Sequence, residues 1–224
     1  MKFRRLENLI GASSLEKLKN STILVIGLGG VGGYVVEALV RSCVGNLILV
    51  DFDKVEITNF NRQIISNNKN LDKYKVDCFK ERIETINEEC NIITYNLKID
   101  DINIKDIFNT KIDFVVDAVD DVKAKIAIIN YCLNNNIDFI SSMGTGNRLD
   151  PSKLTITKLD KTYNDPLARI MRSKFDKRVQ KKITVCTSIE LPLKVIDKSF
   201  VGSTAFVPSS AGLLIASYVV RKLI

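Results

Sequence analysis

A short run of β-branched residues leads into the glycine-rich stretch VIGLGGVGG at positions 25–33. Gly27, Gly29 and Gly32 have the G-x-G-x-x-G spacing that holds nucleotide phosphates where a strand turns into a helix. The first glycine permits the tight turn, the second lets backbone approach a phosphate, and the third lets helix and strand pack closely. The spacing predicts a phosphate site at a helix N-terminus, and the competing interpretation is a glycine turn that binds nothing.

Charged side chains downstream indicate which nucleotide would bind. Asp51 follows the apolar run NLILV, where an acidic side chain can accept hydrogen bonds from ribose hydroxyls. Arg62 and Lys75 add more positive charge than the pyrophosphate of a dinucleotide needs. This surplus favours ATP, whereas the glycines and Asp51 alone would also suit an NAD-dependent oxidoreductase.

A second acid follows the apolar run FVVDAVD at positions 114–120. Asp120 would lie at the carboxyl edge of the sheet, where ligands of such folds bind. Because Mg²⁺ needs only one or two carboxylates when phosphate oxygens and water complete its shell, Asp120 is a candidate magnesium ligand. The alternative is that Asp120 caps the helix that begins near Asp121.

The elements that would position these residues alternate between strand and helix. We predict strands at 22–26, 46–50, 92–95, 114–116 and 137–141, and helices at 31–43, 72–87 and 122–134. This order is typical of an α/β fold, Rossmann-like and doubly wound around a mainly parallel sheet. A C-terminal extension follows, with strands at 154–158, 183–187 and 204–207 and a helix at 166–175. We expect one domain over 1–224, comprising an N-terminal arm 1–20, a nucleotide-binding core 21–150 and the extension 151–224.

Composition excludes several kinds of chemistry. The chain has 224 residues, no histidine and a net charge of +7, so an imidazole base, a Ser/His/Asp triad and a His-ligated metal are all excluded. Five widely spaced cysteines without a C-x-x-C pair are typical of a reducing cytoplasm. We expect no secretion signal, and we interpret the apolar stretch 201–220 as a strand, a turn and a core helix rather than a membrane span.

Several motifs together resemble the ubiquitin-activating superfamily of ATP-dependent adenylating enzymes. They comprise the glycine motif with Gly30, the acids Asp51 and Asp53, the element Asn59-Phe60-Asn61-Arg62-Gln63, Lys75, and 117–120. The resemblance implies that Asn59, Arg62, Gln63 and Lys75 contact ATP phosphates and that Asp120 is the magnesium-associated acid. It also implies that an arginine ahead of the first strand reaches the partner's site in a homodimer, with Arg5 as the match and Arg4 as its competitor. The superfamily has a small residue before the lysine where this chain has Asp72, so Lys73 competes with Lys75.

Two further stretches resemble one branch, the tRNA threonylcarbamoyladenosine dehydratases. They are KTYNDPLAR at 161–169 and SSMGTGNRLDP at 141–151, and the likeness continues through GSTAFVP at 202–208. The resemblance implies ATP-dependent cyclisation of N6-threonylcarbamoyladenosine in tRNA through an adenylated carboxylate. The alternative is an adenylyltransferase that activates the C-terminal glycine of a ubiquitin-like sulfur carrier, a branch that typically has two zinc-binding C-x-x-C pairs.

The segment 167–182 is a candidate basic helix for RNA phosphates, and a solvated face is the competing interpretation. It contains Arg169, Arg172, Lys174, Lys177, Arg178, Lys181 and Lys182. Cys186 is the cysteine nearest to a possible catalytic role, since some superfamily members form thioesters, although a buried packing role is the alternative. We therefore predict a homodimeric, cytoplasmic enzyme that uses ATP and Mg²⁺ on tRNA. A non-catalytic RNA-binding protein with a vestigial nucleotide fold is a further alternative.

Overall fold

The computed structural model describes residues 2–197 and 199–224. In this part of the chain, seven strands form one sheet in the order β3-β2-β1-β4-β5-β7-β6. All neighbouring pairs are parallel except β6 and β7, which are antiparallel. The strands are β1 (Thr22–Ile26), β2 (Asn46–Val50), β3 (Asn91–Tyr95), β4 (Phe114–Asp117), β5 (Phe139–Ser142), β6 (Leu154–Lys158) and β7 (Thr184–Ser188).

Helices cover both faces of the sheet, so each face has its own apolar core. β1, β2 and β4 are largely apolar runs buried on both sides, as expected for central parallel strands, whereas β7 is buried but rich in hydroxyl residues. Within the described residues the helices are α1 (Arg4–Ile10), α2 (Ala12–Asn20), α3 (Gly32–Arg41), α4 (Lys75–Ile86), α5 (Val122–Asn134), α6 (Pro166–Lys174), α7 (Lys177–Gln180) and α8 (Phe206–Leu223). The α/β, doubly wound fold predicted from the sequence is therefore confirmed.

The strand order reverses at β1, which lies between β2 and β4. Chain connections leave the sheet in opposite directions at such a point, and a crevice opens at the carboxyl ends of the strands. The glycine turn follows β1, Asp51 follows β2, and the loop with Asp120 follows β4. The topology alone therefore brings these three segments to one edge of the sheet.

Three predicted boundaries are wrong, each for a local reason. The segment 204–207 is not a strand, because α8 begins at Phe206 and Pro208 is tolerated in a first helical turn, where no N–H is needed. The basic segment 167–182 is not one helix, because Phe175 is extended and Asp176 caps the separate helix α7. α4 begins at Lys75 rather than at Asp72, which has a φ of 65°.

The apolar stretch near the C-terminus forms α8, which packs along α3. A Cβ at Gly212 would lie 2.4 Å from the carbonyl oxygen of Val31, so only glycine permits this close approach. Within the part of the chain that the structure describes, no helix is long and apolar enough to cross a membrane. The stretch is thus a core helix, as expected, although without the preceding strand.

Candidate nucleotide-binding site

A cavity of about 750 Å³ lies at the carboxyl edge of the sheet, where β1, β2, β4 and β5 end. Ten of the residues singled out in the sequence line it. They are Gly27, Gly29, Gly30, Asp51, Asp53, Asn59, Arg62, Gln63, Lys75 and Asp120. Its size is in the range of small-molecule and cofactor sites, which are commonly about 300–1,000 Å³.

The glycine turn shapes the floor of the cavity. Gly27 has a φ of 88°, and a Cβ there would lie 2.7 Å from backbone atoms of Ala118. Gly32 does not line the cavity, but a Cβ on it would lie 1.8 Å from the carbonyl oxygen of Gly27. Gly29 has no heavy atom within 3.8 Å of its Cβ position, so its backbone faces open space. The three glycines therefore serve the turn, the close packing of α3 on β1, and the approach of a ligand, respectively.

Asp51 is buried beside this turn with both carboxylate oxygens engaged. Oδ2 accepts a hydrogen bond from the backbone N–H of Leu28 at 2.6 Å, and Oδ1 accepts one from Asp53 at 2.8 Å. Burial raises the pKa of Asp51 above its ordinary value, while Lys75 and the two N–H groups act in the opposite direction. Hydroxyl donors of a bound ribose would favour the charged form of this carboxylate.

The segment 59–63 lies along one wall, just after a 3₁₀ turn over Ile57–Asn59. The side-chain oxygen of Asn59 accepts from the backbone N–H of Glu56, so this residue also holds the turn. Arg62 donates through Nη1 to the carbonyl oxygen of Thr58 at 2.8 Å and contacts no carboxylate within the described residues. Oε1 of Gln63 is buried without a hydrogen-bond partner, and its amide nitrogen lies near Gly29. This wall thus presents a guanidinium with no carboxylate partner, which suits an anionic ligand, and an amide oxygen that a donor group of a ligand could satisfy.

The structure separates the two competing lysines. The side chain of Lys75 is 5% exposed, and its Nζ lies 2.8 Å from Oδ2 of Asp53 inside the cavity. Lys73 is exposed and lies 3.7 Å from Glu81, outside the cavity. Asp72 has a φ of 65°, the conformation that glycine adopts most easily. Lys75, not Lys73, is therefore placed to contact a nucleotide.

The two neighbouring acids after β4 have different environments. Asp121 is the N-cap of α5, and its Oδ1 accepts from the backbone N–H of Ala124 at 2.8 Å. Asp120 is exposed to the cavity and lies within 4 Å of no basic side chain among the described residues. The capping role that the sequence left open for Asp120 thus belongs to Asp121.

Arg5 does not join the site within one chain. It lies on α1, as does Arg4, and both side chains are exposed. α1 has no fully buried residue and is held by the partial burial of Leu6 and Ile10. Neither arginine lines the cavity of its own chain. Either arginine could therefore contact a nucleotide only in the cavity of a second copy of the chain.

Sequence reasoning missed a buried ion pair directly below the cavity. Nζ of Lys125 on α5 lies 3.0 Å from Oδ2 of Asp117 and donates to the carbonyl oxygen of Ser142 at 2.6 Å. Ser141 donates to the same carboxylate oxygen at 2.5 Å, and both members of the pair are fully buried. The only available signal was a lysine inside the otherwise apolar run AKIAII, which indicates a buried cation that needs a partner.

The stretch KTYNDPLAR builds the opposite wall through Asp165. Its Oδ2 accepts from the backbone N–H of Gly144 at 3.0 Å and from the hydroxyl of Thr187 at 2.7 Å. Its Oδ1 accepts from Ala168 and so caps α6. This one buried carboxylate holds the glycine-bearing loop against the cavity, where Gly144 and Leu167 are lining residues.

The thioester role considered for Cys186 is wrong. Cys186 is 1% exposed and does not line the cavity. Burial raises the pKa of its thiol to about 12, and the charge of Asp165 adds to the increase. A protonated thiol in the core is a packing residue, not a nucleophile.

Comparison with known proteins agrees with this geometry. Residues 3–224 match the model of the ThiF family, and the chain belongs to this family. It is 39% identical to the tRNA threonylcarbamoyladenosine dehydratase of Bacillus subtilis, over 99% of this chain and 94% of that protein. The crystal structure of the Escherichia coli tRNA N6-threonylcarbamoyladenosine dehydratase in complex with ATP superposes with a TM-score of 0.93. It is 30% identical, over 99% of this chain and 93% of that one. The molybdopterin-synthase adenylyltransferase of Haemophilus influenzae is 34% identical, over 70% of this chain and 64% of that protein.

Proposed function

We propose that this chain is an ATP-dependent dehydratase that cyclises N6-threonylcarbamoyladenosine in tRNA through an adenylated carboxylate. The observation that carries the proposal is the convergence of the glycine turn, Asp51, the segment 59–63 and Lys75 on one cavity. The full-length similarity to dehydratases, one of them solved with ATP, supports the same reaction. We propose that the arm 1–20, the core 21–150 and the extension 151–224 act as one domain, since β6 and β7 complete the sheet.

ATP would lie across the carboxyl edge of the sheet. Its ribose would donate to Asp51, and its phosphates would contact the backbone of Gly27, Gly29 and Gly30 at the N-terminal end of α3. Apolar residues of the cavity suit a purine ring; they include Leu97, Ile99, Val119 and Ala124. Cations and amides on the facing wall would contact the phosphates, namely Asn59, Arg62, Gln63 and Lys75.

Magnesium fits this site as a companion of the phosphates. Within residues 2–197 and 199–224 no three potential ligands cluster into a metal site. Asp120 presents one free carboxylate to the cavity, and Mg²⁺ commonly takes one or two carboxylates plus phosphate oxygens and water. We propose that Asp120 is the magnesium-associated acid, where the ion would neutralise phosphate charge.

The reaction needs activation of a carboxylate rather than an enzymatic nucleophile. The substrate carboxylate oxygen attacks the α-phosphorus of ATP, and pyrophosphate leaves. An oxygen or nitrogen atom of the same nucleoside then attacks the activated carbonyl carbon, the ring closes, and AMP leaves with the former carboxylate oxygen. Arg62 and Lys75 would stabilise the negative charge that develops on pyrophosphate. No described cysteine lines the cavity, and the chain has no histidine, so positioning and charge stabilisation must suffice.

A homodimer would complete the site. Between residues 191 and 206 several large apolar side chains are exposed, here called the apolar patch: Leu191, Leu193, Ile196, Phe200, Val201 and Phe206. Val201 also lines the cavity, so this patch is continuous with the nucleotide site. We propose that a second copy covers the patch and brings its Arg5 to the phosphates, with Arg4 as the competing residue. A cytoplasmic location suits a tRNA substrate and the five free cysteines.

Mixing two impaired variants, assayed at a Mg²⁺ concentration at which Asp120→Asn alone has little activity, tests the partner arginine. In a dimer of Arg5→Ala with Asp120→Asn, one of the two sites would contain every wild-type group. After random exchange of subunits, half of the dimers are mixed, and each mixed dimer has one intact site of two. About a quarter of wild-type activity should therefore be restored. No recovery after verified subunit exchange would contradict a contribution from the partner, and the same mixture with Arg4→Ala decides between the two arginines.

The adenylyltransferase remains the second candidate, because the similarity to the Haemophilus influenzae adenylyltransferase extends over 70% of this chain. The two differ in the acceptor that makes ATP–pyrophosphate exchange possible. We expect exchange with tRNA that contains threonylcarbamoyladenosine and none with a small protein ending in Gly-Gly. The reverse dependence would select the second candidate.

A further inference from the structure

A second groove of about 750 Å³ lies at the opposite edge of the sheet, where β4, β5 and β7 begin. Four lysines from different parts of the chain line it: Lys158, Lys174, Lys182 and Lys222. Asn130, Asn134 and Asn136 line it as well and add amide groups. Lysines and amides are the side chains that most often contact phosphate oxygens in complexes with nucleic acid.

The positive charge of this groove is poorly compensated. Within the described residues, no carboxylate lies within 4 Å of any of the four lysine ammonium groups. Two acids line the groove, Asp138 and Asp176, but Asp176 already accepts two backbone hydrogen bonds as the cap of α7. Burial lowers the pKa of Lys158, and the charge of Lys222 lowers it further, against smaller opposing effects of Asp160 and Asp138. A solvated surface would more commonly disperse or pair such charges.

Helix α6 connects the groove with the nucleotide cavity. Leu167 in its first turn lines the cavity, and Lys174 at its end lines the groove. Nine helical residues span about 13 Å. On α6 the basic residue Arg169 is exposed, whereas Arg172 turns inward and donates to the carbonyl oxygen of Thr162 at 2.7 Å. Beyond α6, Lys177, Arg178 and Lys181 are exposed as well. The basic residues predicted in the segment 167–182 are therefore exposed except for Arg172, and two of them, Lys174 and Lys182, line the groove.

We propose that this groove binds backbone phosphates of the same RNA whose modified nucleoside enters the nucleotide cavity. The inference rests on the proposed function, since it identifies where the remainder of the tRNA is held. The four aromatic residues of the groove are engaged in the protein: Phe114 and Phe139 are buried, Tyr218 packs edge-on against Phe114, and Phe175 packs against the apolar core. The groove consequently contacts phosphate groups without reading bases, and its contribution is independent of sequence.

A triple variant tests the groove without touching the nucleotide cavity. Lys174→Gln, Lys182→Gln and Lys222→Gln change exposed side chains that make no hydrogen bond or ion pair within the described residues. The matched control substitutes Lys69, Lys80 and Lys105, which are exposed and line neither site. Lys158 stays unchanged, since its Nζ donates to Thr184 and to the carbonyl oxygen of Lys182.

Binding of modified tRNA should weaken by about tenfold to a hundredfold in the triple variant. The plot of the logarithm of the association constant against the logarithm of salt concentration should become less steep by about two to three. KM for tRNA should rise while kcat and ATP binding stay within about twofold, and the control triple should match the wild type. An unchanged slope and an unchanged KM for tRNA in the triple variant would overturn the proposal that the groove binds RNA, even if the wild type forms product. If the wild type forms no product, tRNA binding of the two triples still tests the groove separately. Displacement of RNA by inorganic phosphate, beyond that of chloride at equal ionic strength, would identify a small-anion site and overturn the proposal.

Discussion

Nζ of Lys75 lies 2.8 Å from Oδ2 of Asp53, and the two side chains are unequally exposed, at 5% and 47%. The buried ammonium is thus held at the cavity by a carboxylate that remains in contact with solvent. Because an exposed carboxylate is screened, Asp53 can orient Lys75 without neutralising the field that phosphates would experience. This pair explains how one lysine of two neighbours is selected for the site.

Lys75→Ala should impair nucleotide use far more than Lys73→Ala. A charge-assisted hydrogen bond to phosphate contributes about 1.5–3 kcal/mol, so kcat/KM for ATP should fall by roughly 10- to 150-fold. Lys73 is exposed and outside the cavity, and its substitution should change kcat/KM by less than about twofold. Steady-state kinetics on the two variants measures this, and equal losses would contradict the placement of Lys75.

Asp120→Asn and Asp121→Asn should separate the magnesium role from the capping role. Asparagine caps helices about as well as aspartate, so Asp121→Asn should leave melting temperature and turnover nearly unchanged. Asp120→Asn should keep the fold but increase the Mg²⁺ concentration needed for half-maximal activity by roughly tenfold or more. A titration of Mg²⁺ at saturating ATP provides the measurement. Indistinguishable Mg²⁺ curves for the two variants would show that Asp120 has no such role.

Lys125→Met should destabilise the protein strongly, although the residue lies outside the cavity. Removal of one partner leaves Asp117 buried and unpaired, which typically costs about 3–5 kcal/mol of unfolding free energy. Lys123→Met, on the exposed face of the same helix, should cost less than about 0.5 kcal/mol. Urea unfolding of both variants checks this, and similar midpoints would mean that the buried pair is not required for stability.

Glu37 should contribute to acid unfolding. Burial raises the pKa of the Glu37 carboxyl, but hydrogen bonds and charges from Arg82 and Arg41 lower it by more. The resulting pKa is therefore below the ordinary value of 4.5. A depressed pKa means that this contribution is complete above pH 4.5 and is lost as pH falls through the lower value of the folded state. In Glu37→Gln, stability should change less between neutral pH and pH 3 than in the wild type.

The matched control for this pH dependence is Glu84→Gln on the neighbouring helix α4, where the side chain is exposed. It should retain the wild-type acid profile. Unfolding curves recorded across the pH range give both profiles. A profile of Glu37→Gln parallel to that of the wild type would contradict the role of the Glu37–Arg82 pair.

Local patterns were sufficient to predict the fold and many of the polar residues that line the cavity. Gly32 packs against Gly27, five residues earlier, and central strands such as β2 are continuous apolar runs, so both are visible in the sequence. The choice of Lys75 over Lys73 required the position of Asp53, twenty-two residues earlier. Arg172 resembled a surface cation, and only tertiary packing shows that it turns inward; the apolar run around Lys125 indicated burial, but its partner Asp117 came from the fold.

The boundary errors have the same origin in tertiary context. Thr204–Val207 is rich in residues that favour strands, yet Pro208 fits the first turn of α8 and the chain is helical from Phe206. Cys186 could not be distinguished from a reactive thiol by its neighbours Thr184–Ser188, because its burial depends on both adjacent strands. Local secondary-structure propensity predicts least well where packing between distant segments decides the conformation of the chain.

The most direct test of the central claim is analysis of the nucleoside itself. Purified protein is incubated with ATP and tRNA that contains threonylcarbamoyladenosine, and the products are examined by mass spectrometry after mild hydrolysis. We predict a nucleoside lighter by one water, formed together with one AMP per ring closed and absent in Arg62→Ala. Unchanged nucleoside, with no AMP released by a folded protein that binds ATP, would contradict the proposed reaction.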